Sequence, residues 1–172
     1  MTKAKTKNLV RTAMFAALTC IATFIIKIPT PGTGGYIHPG DALVILSGVF
    51  LGPVYGAAAA GLGSAMADIV GGYFFYAPVT LLIKGIIAFV SGHIFQGSVL
   101  NIKTDRVKLI ACGLLNMFLV ALGYLLFELI IYGPGAVASV PANLIQGLSG
   151  LIISGLLYMP LRNIINTVDR TS

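Results

Sequence analysis

The chain has little charge and almost no cysteine. Of its 172 residues only 9% are Asp, Glu, Lys or Arg, where a soluble domain carries roughly a quarter. That deficit excludes a soluble globular domain. The two cysteines, Cys20 and Cys112, are isolated in separate apolar runs, which excludes a disulfide framework and a metal site and leaves two small packed hydrophobes. Also missing are the sequences that carry common chemistries. There is no G-x-x-x-x-G-K-[ST] loop, so the chain has no means of hydrolysing ATP itself. There is no H-E-x-x-H, no G-x-S-x-G and no Cys/His cluster. Neither a ring of like charges nor a filter motif suggests a channel. The sequence therefore points to no catalytic residue, no metal and no cofactor.

What is present is apolar: 57% of the residues are hydrophobic. The charges are concentrated. Nine of the eleven basic residues fall in three patches, Lys3, Lys5, Lys7 and Arg11, then Lys103, Arg106 and Lys108, then Arg162 and Arg170. Lys and Arg clustered between apolar runs fix the orientation of a chain in a membrane. This pattern accounts for the net charge of +6 without nucleic acid as a partner, and a basic rim suits an anionic inner leaflet. The first apolar run resembles a signal peptide, but Ile28-Pro29-Thr30-Pro31 stands where a cleavage site would be. It reads as a retained helix.

The predicted architecture is an all-α membrane protein, one integral domain over 1–172, with six transmembrane helices near 9–27, 41–51, 54–71, 78–96, 108–132 and 141–161. A full span needs about 20 residues, so the second run is too short alone. It is either a half-length helix inside the bundle or part of one bent span with the third. Charge decides: six spans put all three basic patches and both termini in the cytoplasm. Pro29, Pro31, Gly32, Gly34 and Gly35 force a long first outer loop, continuing to Gly40. The third run is rich in Gly and Ala from Gly56 to Ala67, a surface that lets helix backbones touch.

Placed by depth, the remaining polar groups converge on the outer third of this bundle. Tyr36, His38 and Asp41 belong to the first outer loop and the start of span two. Asp68 is near the outer end of span three, and Tyr73 and Tyr76 follow in the second outer loop. Lys84 lies two turns inward on span four, Glu128 one turn from the outer end of span five, and Asn143 and Gln146 in the outer part of span six. Ionisable groups in such runs are expensive and mark functional sites. Asp68 and Lys84 are also placed to form a buried ion pair, Lys27 to snorkel to the interface, and the tyrosines to form an interfacial belt. Glu128 has no obvious local partner. His93, on the inner half of span four, is a packed or interface histidine. Aromatic rings with a few groups of both signs suit a small flat ligand such as a heteroaromatic vitamin.

The chain resembles the substrate-binding S components of energy-coupling factor (ECF) transporters. The resemblance rests on the six-span plan, the short second span after a Gly/Pro-rich loop, and the basic N-terminus entering Ala13-Met-Phe-Ala16-Ala17. The segments Tyr36-Ile-His38-Pro-Gly40-Asp41, Leu51-Gly-Pro53-Val-Tyr-Gly56, Gly63-Ser-Ala-Met-Ala-Asp68 and Ala77-Pro78 through Lys84-Gly85 resemble the branch for hydroxymethylpyrimidine or vitamin B6 forms such as pyridoxine. The resemblance implies a non-enzymatic vitamin-binding subunit in a bacterial plasma membrane. Its partners would be a transmembrane coupling subunit, met by Ala13 and Ala17, and two ATPases. Branches for riboflavin, pantothenate or queuosine precursors share much of the pattern. A stand-alone secondary transporter using Asp68, Lys84 and Glu128 as a proton relay is the competing class.

Overall fold

In a computed structural model the described residues are 3–30, 33–97 and 102–171. The Lys3 side chain, Pro31 and Gly32 of the first loop, and 98–101 of the basic loop lie outside the described part. Five α-helices follow in order: α1 (Lys3–Ile25), α2 (Asp41–Val70), α3 (Ala77–Phe95), α4 (Asp105–Tyr132) and α5 (Val140–Thr171). A 3₁₀ turn, Gly133–Ser139, joins the last two. Four continuous helical stretches are long and apolar enough to cross a membrane, the last counting α4, the turn and α5 together.

The second and third predicted spans are thus one helix by hydrogen bonding, but not a straight one. Gly52 has φ 77° and ψ −179°, a conformation that L side chains rarely adopt, and Pro53 brings no N–H to continue the ladder. The chain folds back there. A Cβ on Gly56 would lie 2.6 Å from the Cα of Gly48, whereas eight residues of straight helix span about 12 Å. The segments 41–51 and 53–70 therefore pack against each other across glycine.

The same device recurs between helices. Gly63 of α2 meets the Ala16 carbonyl of α1, and Gly61 meets the Leu81 carbonyl of α3 at 2.9 Å from where its Cβ would be. Gly147 of α5 lies against Met117 of α4. The small residues of the third run are packing surfaces, as their composition predicts. Beneath them an apolar core gathers Val44, Ile45, Ile83, Ile87, Ala88, Cys112 and Val120.

Two details set the frame of the site. The first outer loop is not irregular throughout: Ile28–Pro29 (β1) and Tyr36–Ile37 (β2) pair antiparallel, Ile28 opposite Ile37. The resulting hairpin lies over one end of the bundle. At the other end acidic residues tie the helices together. Asp169 of α5 takes Lys7 at 2.7 Å and Arg11, both of α1. Asp105 of α4 takes Arg162 at 3.0 Å and the Tyr158 hydroxyl at 2.7 Å.

Candidate functional site

The hairpin end of the bundle is built on a fully buried ion pair. Lys84 of α3 donates to Asp41 Oδ1 at 2.5 Å, and neither side chain is accessible. Asn116 of α4 and Gln146 of α5 each donate to Asp41 Oδ2 at 3.2 Å. A buried carboxylate is tolerable when its lone pairs are met in this way. Asp41 opens α2, where the positive end of the helix dipole also favours an anion. The expected pairing of Lys84 with Asp68 is therefore incorrect: both halves of α2 pack against α3, and the Lys84 ammonium reaches Asp41 at the start of α2, while Asp68 takes the Tyr36 hydroxyl.

The ion pair is linked to the hairpin. The Gln146 side chain that donates to Asp41 also accepts the His38 backbone N–H at 3.1 Å. The Gly40 N–H donates to His38 Nδ1 at 3.1 Å, so the neutral ring carries its proton on Nε2. Burial is the main reason that the His38 imidazole is held down to about pKa 3, with Lys84 and Lys27 adding to the effect and Asp41 opposing it.

Next to this network, with His38 common to both, lies a cavity of about 20 Å³ lined by Thr30, Gly35, Tyr36, His38, Asp68, Tyr76, Thr80, Tyr124, Glu128 and Asn143. Tyr36 donates to Asp68 Oδ1 at 2.6 Å. Tyr76 donates to Glu128 Oε1 at 3.0 Å, and the Ser139 hydroxyl donates to Glu128 Oε2. Glu128 thus has partners after all, one from the second outer loop and one from the 3₁₀ turn, neither adjacent in sequence. Asn143 donates to Ser139 at 3.4 Å, and Thr80 shares a hydrogen bond with Tyr124 at 3.0 Å.

Of the ten residues singled out in the sequence, Tyr36, His38, Asp68, Tyr76, Glu128 and Asn143 line the cavity, and Asp41, Lys84 and Gln146 lie outside its lining, joined to it through the His38 N–H. Tyr73 stands behind, its ring 4.4 Å from that of Tyr36. Lys27 does not simply snorkel: its ammonium lies 4.4 Å from the Phe24 ring, 4.8 Å from Tyr36 and 5.1 Å from Tyr73, a cation–π cage. His93 is remote and packs edge-on against Phe89. Sequence reasoning overlooked Asn116, Thr80, Tyr124 and Ser139. Asn116 had a usable signal, a lone amide in mid-span. The others are ordinary in a membrane helix until the fold turns them inward.

Ala13 and Ala17 are both exposed. They lie on the side of α1 away from Phe15 and Thr19, which are buried. The cavity offers aromatic faces and two carboxylates beneath a short hairpin, the furniture of a binding site for a small molecule.

Comparison with known proteins agrees with this architecture. A solved structure described as "Structure and mechanism of the S component of a bacterial ECF transporter" superposes with a TM-score of 0.66, covering 94% of this chain and 98% of that one at 20% identity. An uncharacterized protein in gap 3'region of Pyrococcus woesei is 35% identical over 136 residues, 78% of this chain and 88% of that protein. The family model for the ECF-type riboflavin transporter S component matches residues 3–163. With nearly the whole chain matched and the fold shared, this protein belongs to the ECF S-component family, the substrate-binding membrane subunits of vitamin transporters.

Proposed function

We propose that the chain captures hydroxymethylpyrimidine or a vitamin B6 form such as pyridoxine outside the cell membrane, and delivers it by docking on a shared transmembrane subunit driven by two ATPases. The observation that carries this reading is the cavity under the β1–β2 hairpin, lined from the hairpin and from α2, α3, α4 and α5. Tyr36, His38, Asp68, Tyr76, Glu128 and Asn143 would touch the ligand. Asp41, Lys84 and Gln146 would hold His38 in place from outside the lining, and Tyr73 would back Tyr36.

At about 20 Å³ the cavity admits one water, whereas ligand sites run to several hundred Å³. The hairpin is therefore the element that lifts to admit substrate and reseals over it. It is attached to the bundle through few groups: His38 to Gln146, Tyr36 to Asp68, and Gly34 to the Tyr132 hydroxyl at 3.2 Å.

We read the chain as crossing the membrane six times, with 41–51 and 53–70 as separate passes and both termini in the cytoplasm. Support comes from Asp169 and Asp105, which gather α1, α4 and α5 at the basic end, opposite the cavity. The exposed Ala13 and Ala17 would let a partner helix approach α1 closely.

A second reading, riboflavin as substrate, is favoured by the description of the matching family. Uptake of labelled hydroxymethylpyrimidine, pyridoxine and riboflavin should be measured in cells expressing the chain with and without its ATPase module. Uptake of either of the first two only with the module supports the proposal. Riboflavin uptake alone selects the second reading, and uptake without the module overturns the division of labour.

A further inference from the structure

The polar lining of the cavity is unbalanced in sign. Its ten residues include two carboxylates and neither lysine nor arginine. Lys84 is committed to Asp41, outside the lining. Lys27 rests against three rings, and among the described residues no salt bridge joins it to Asp68. The lining hydroxyls are occupied: Tyr36 with Asp68, Tyr76 with Glu128, Thr80 and Tyr124 with each other.

One atom stands apart. Asp68 is only 3% exposed, and its Oδ2 is buried without a hydrogen-bond partner. The Thr80 hydroxyl lies near this carboxylate and shares a hydrogen bond with Tyr124, and no hydrogen bond from it reaches Oδ2. A buried charged acceptor left without a donor is costly, and a ligand that supplies the donor recovers that cost on binding. The opposite holds for an anion, which would meet two carboxylates in a buried pocket where the repulsion of like charges is poorly screened.

We propose that Asp68 Oδ2 is the selecting atom of the site: it accepts a hydrogen bond from an amino group or protonated ring nitrogen of a flat heteroaromatic ligand held among Tyr36, Tyr76 and Tyr124, while Asp68 and Glu128 together reject phosphorylated and carboxylated forms. This rests on the vitamin-capture reading above and narrows it. The site would take the free, dephosphorylated vitamin, so a phosphatase-type reaction must precede capture wherever the source is a phosphate ester, and a kinase-type reaction would trap the product inside.

The test is calorimetric titration of the purified full chain in detergent with four probes: hydroxymethylpyrimidine with its ring amino group, its des-amino analogue, its phosphate ester, and riboflavin. A hydrogen bond to a charged group is worth roughly tenfold to a hundredfold in affinity. The amino compound should bind at least about tenfold more tightly than the des-amino analogue and about a hundredfold more tightly than the phosphate ester. Asp68→Asn should erase most of the first difference by weakening the amino compound alone, with thermal unfolding of the variant checked in parallel. The comparison among ligands on the unaltered protein stands even where that variant does not fold. Equal affinity for the amino and des-amino compounds, or a phosphate ester that binds as well, overturns the inference. Riboflavin binding alone overturns it while leaving the vitamin-capture reading intact. If none of the four binds, this inference falls, and the vitamin-capture reading falls with it only where pyridoxine uptake with the module is absent as well.

Discussion

Lys84 offers the most demanding test of the architecture, because its environment predicts a defect in stability and not only in binding. Its ammonium and Asp41 are 2.5 Å apart and both fully buried. At an effective dielectric of about 20 the attraction at that distance is about 7 kcal/mol, against a desolvation penalty of several kcal/mol for each ion. The pair as a whole is therefore close to neutral, but half of it is not. In Lys84→Met, Asp41 keeps only the amides of Asn116 and Gln146, and the loss should be about 3–5 kcal/mol. Replacing both, as Asp41→Leu with Lys84→Met, should recover at least about 2 kcal/mol, with the remainder lost through the amides left without an acceptor. The assay is a double-mutant cycle on denaturant unfolding in detergent. Two outcomes refute the reasoning: a Lys84→Met loss under about 1 kcal/mol, or additive effects with no coupling. The same single variant should loosen the hairpin, because Gln146 bridges Asp41 to the His38 N–H.

Glu128→Ala should weaken ligand binding at least about tenfold, since a contact desolvated by the ligand is worth about 1–3 kcal/mol; unchanged affinity in titration calorimetry removes Glu128 from the site. Closure of the hairpin should be pH-dependent through His38. Its closed-state pKa of about 3 lies below the open-state value of about 6.5, so closure is fully favoured above the open-state value. It weakens as pH falls below about 6.5, because only the open form takes up the proton, and this loss continues until about pH 3. Hydrogen exchange in residues 33–38, corrected for intrinsic rates, should show an opening equilibrium about tenfold larger at about pH 5.5 than at about pH 7.5; the dependence should vanish in His38→Gln, and a flat profile in the unaltered protein contradicts it. Ala13→Trp or Ala17→Trp should abolish uptake and co-purification with the ATPase module while ligand affinity in detergent stays nearly unchanged, because both residues are exposed and a bulky side chain holds a partner helix away. Lost ligand binding with intact assembly would instead assign this face to internal packing.

The hydrophobic runs and the three basic patches are properties of the sequence read in one dimension, and they determined the class of protein, the helical stretches and the gathering of polar residues at one end. Lipid solvation requires nothing more: long apolar helices satisfy their own backbone, and depth follows from counting residues. Glycine was equally legible in kind, as at Gly52 and along Gly56–Gly63, where only its absent Cβ permits a reversal or a close approach.

Pairing was not legible, because it depends on how helices rotate about their axes and which helix each one adjoins. Sequence alone paired Lys84 with Asp68, and only the packing of α2 on α3, a tertiary event, made Asp41 the partner. It left Glu128 without a partner, because Tyr76 and Ser139 reach it from segments 52 and 11 residues away. It gave no sign of the β1–β2 pairing, since a ribbon of two residues per strand has no periodicity to read. The open lone pair on Asp68 is likewise a fact of packing: a carboxylate in a helix declares its charge in the sequence, but only the arrangement of its neighbours decides which oxygen they leave for a ligand.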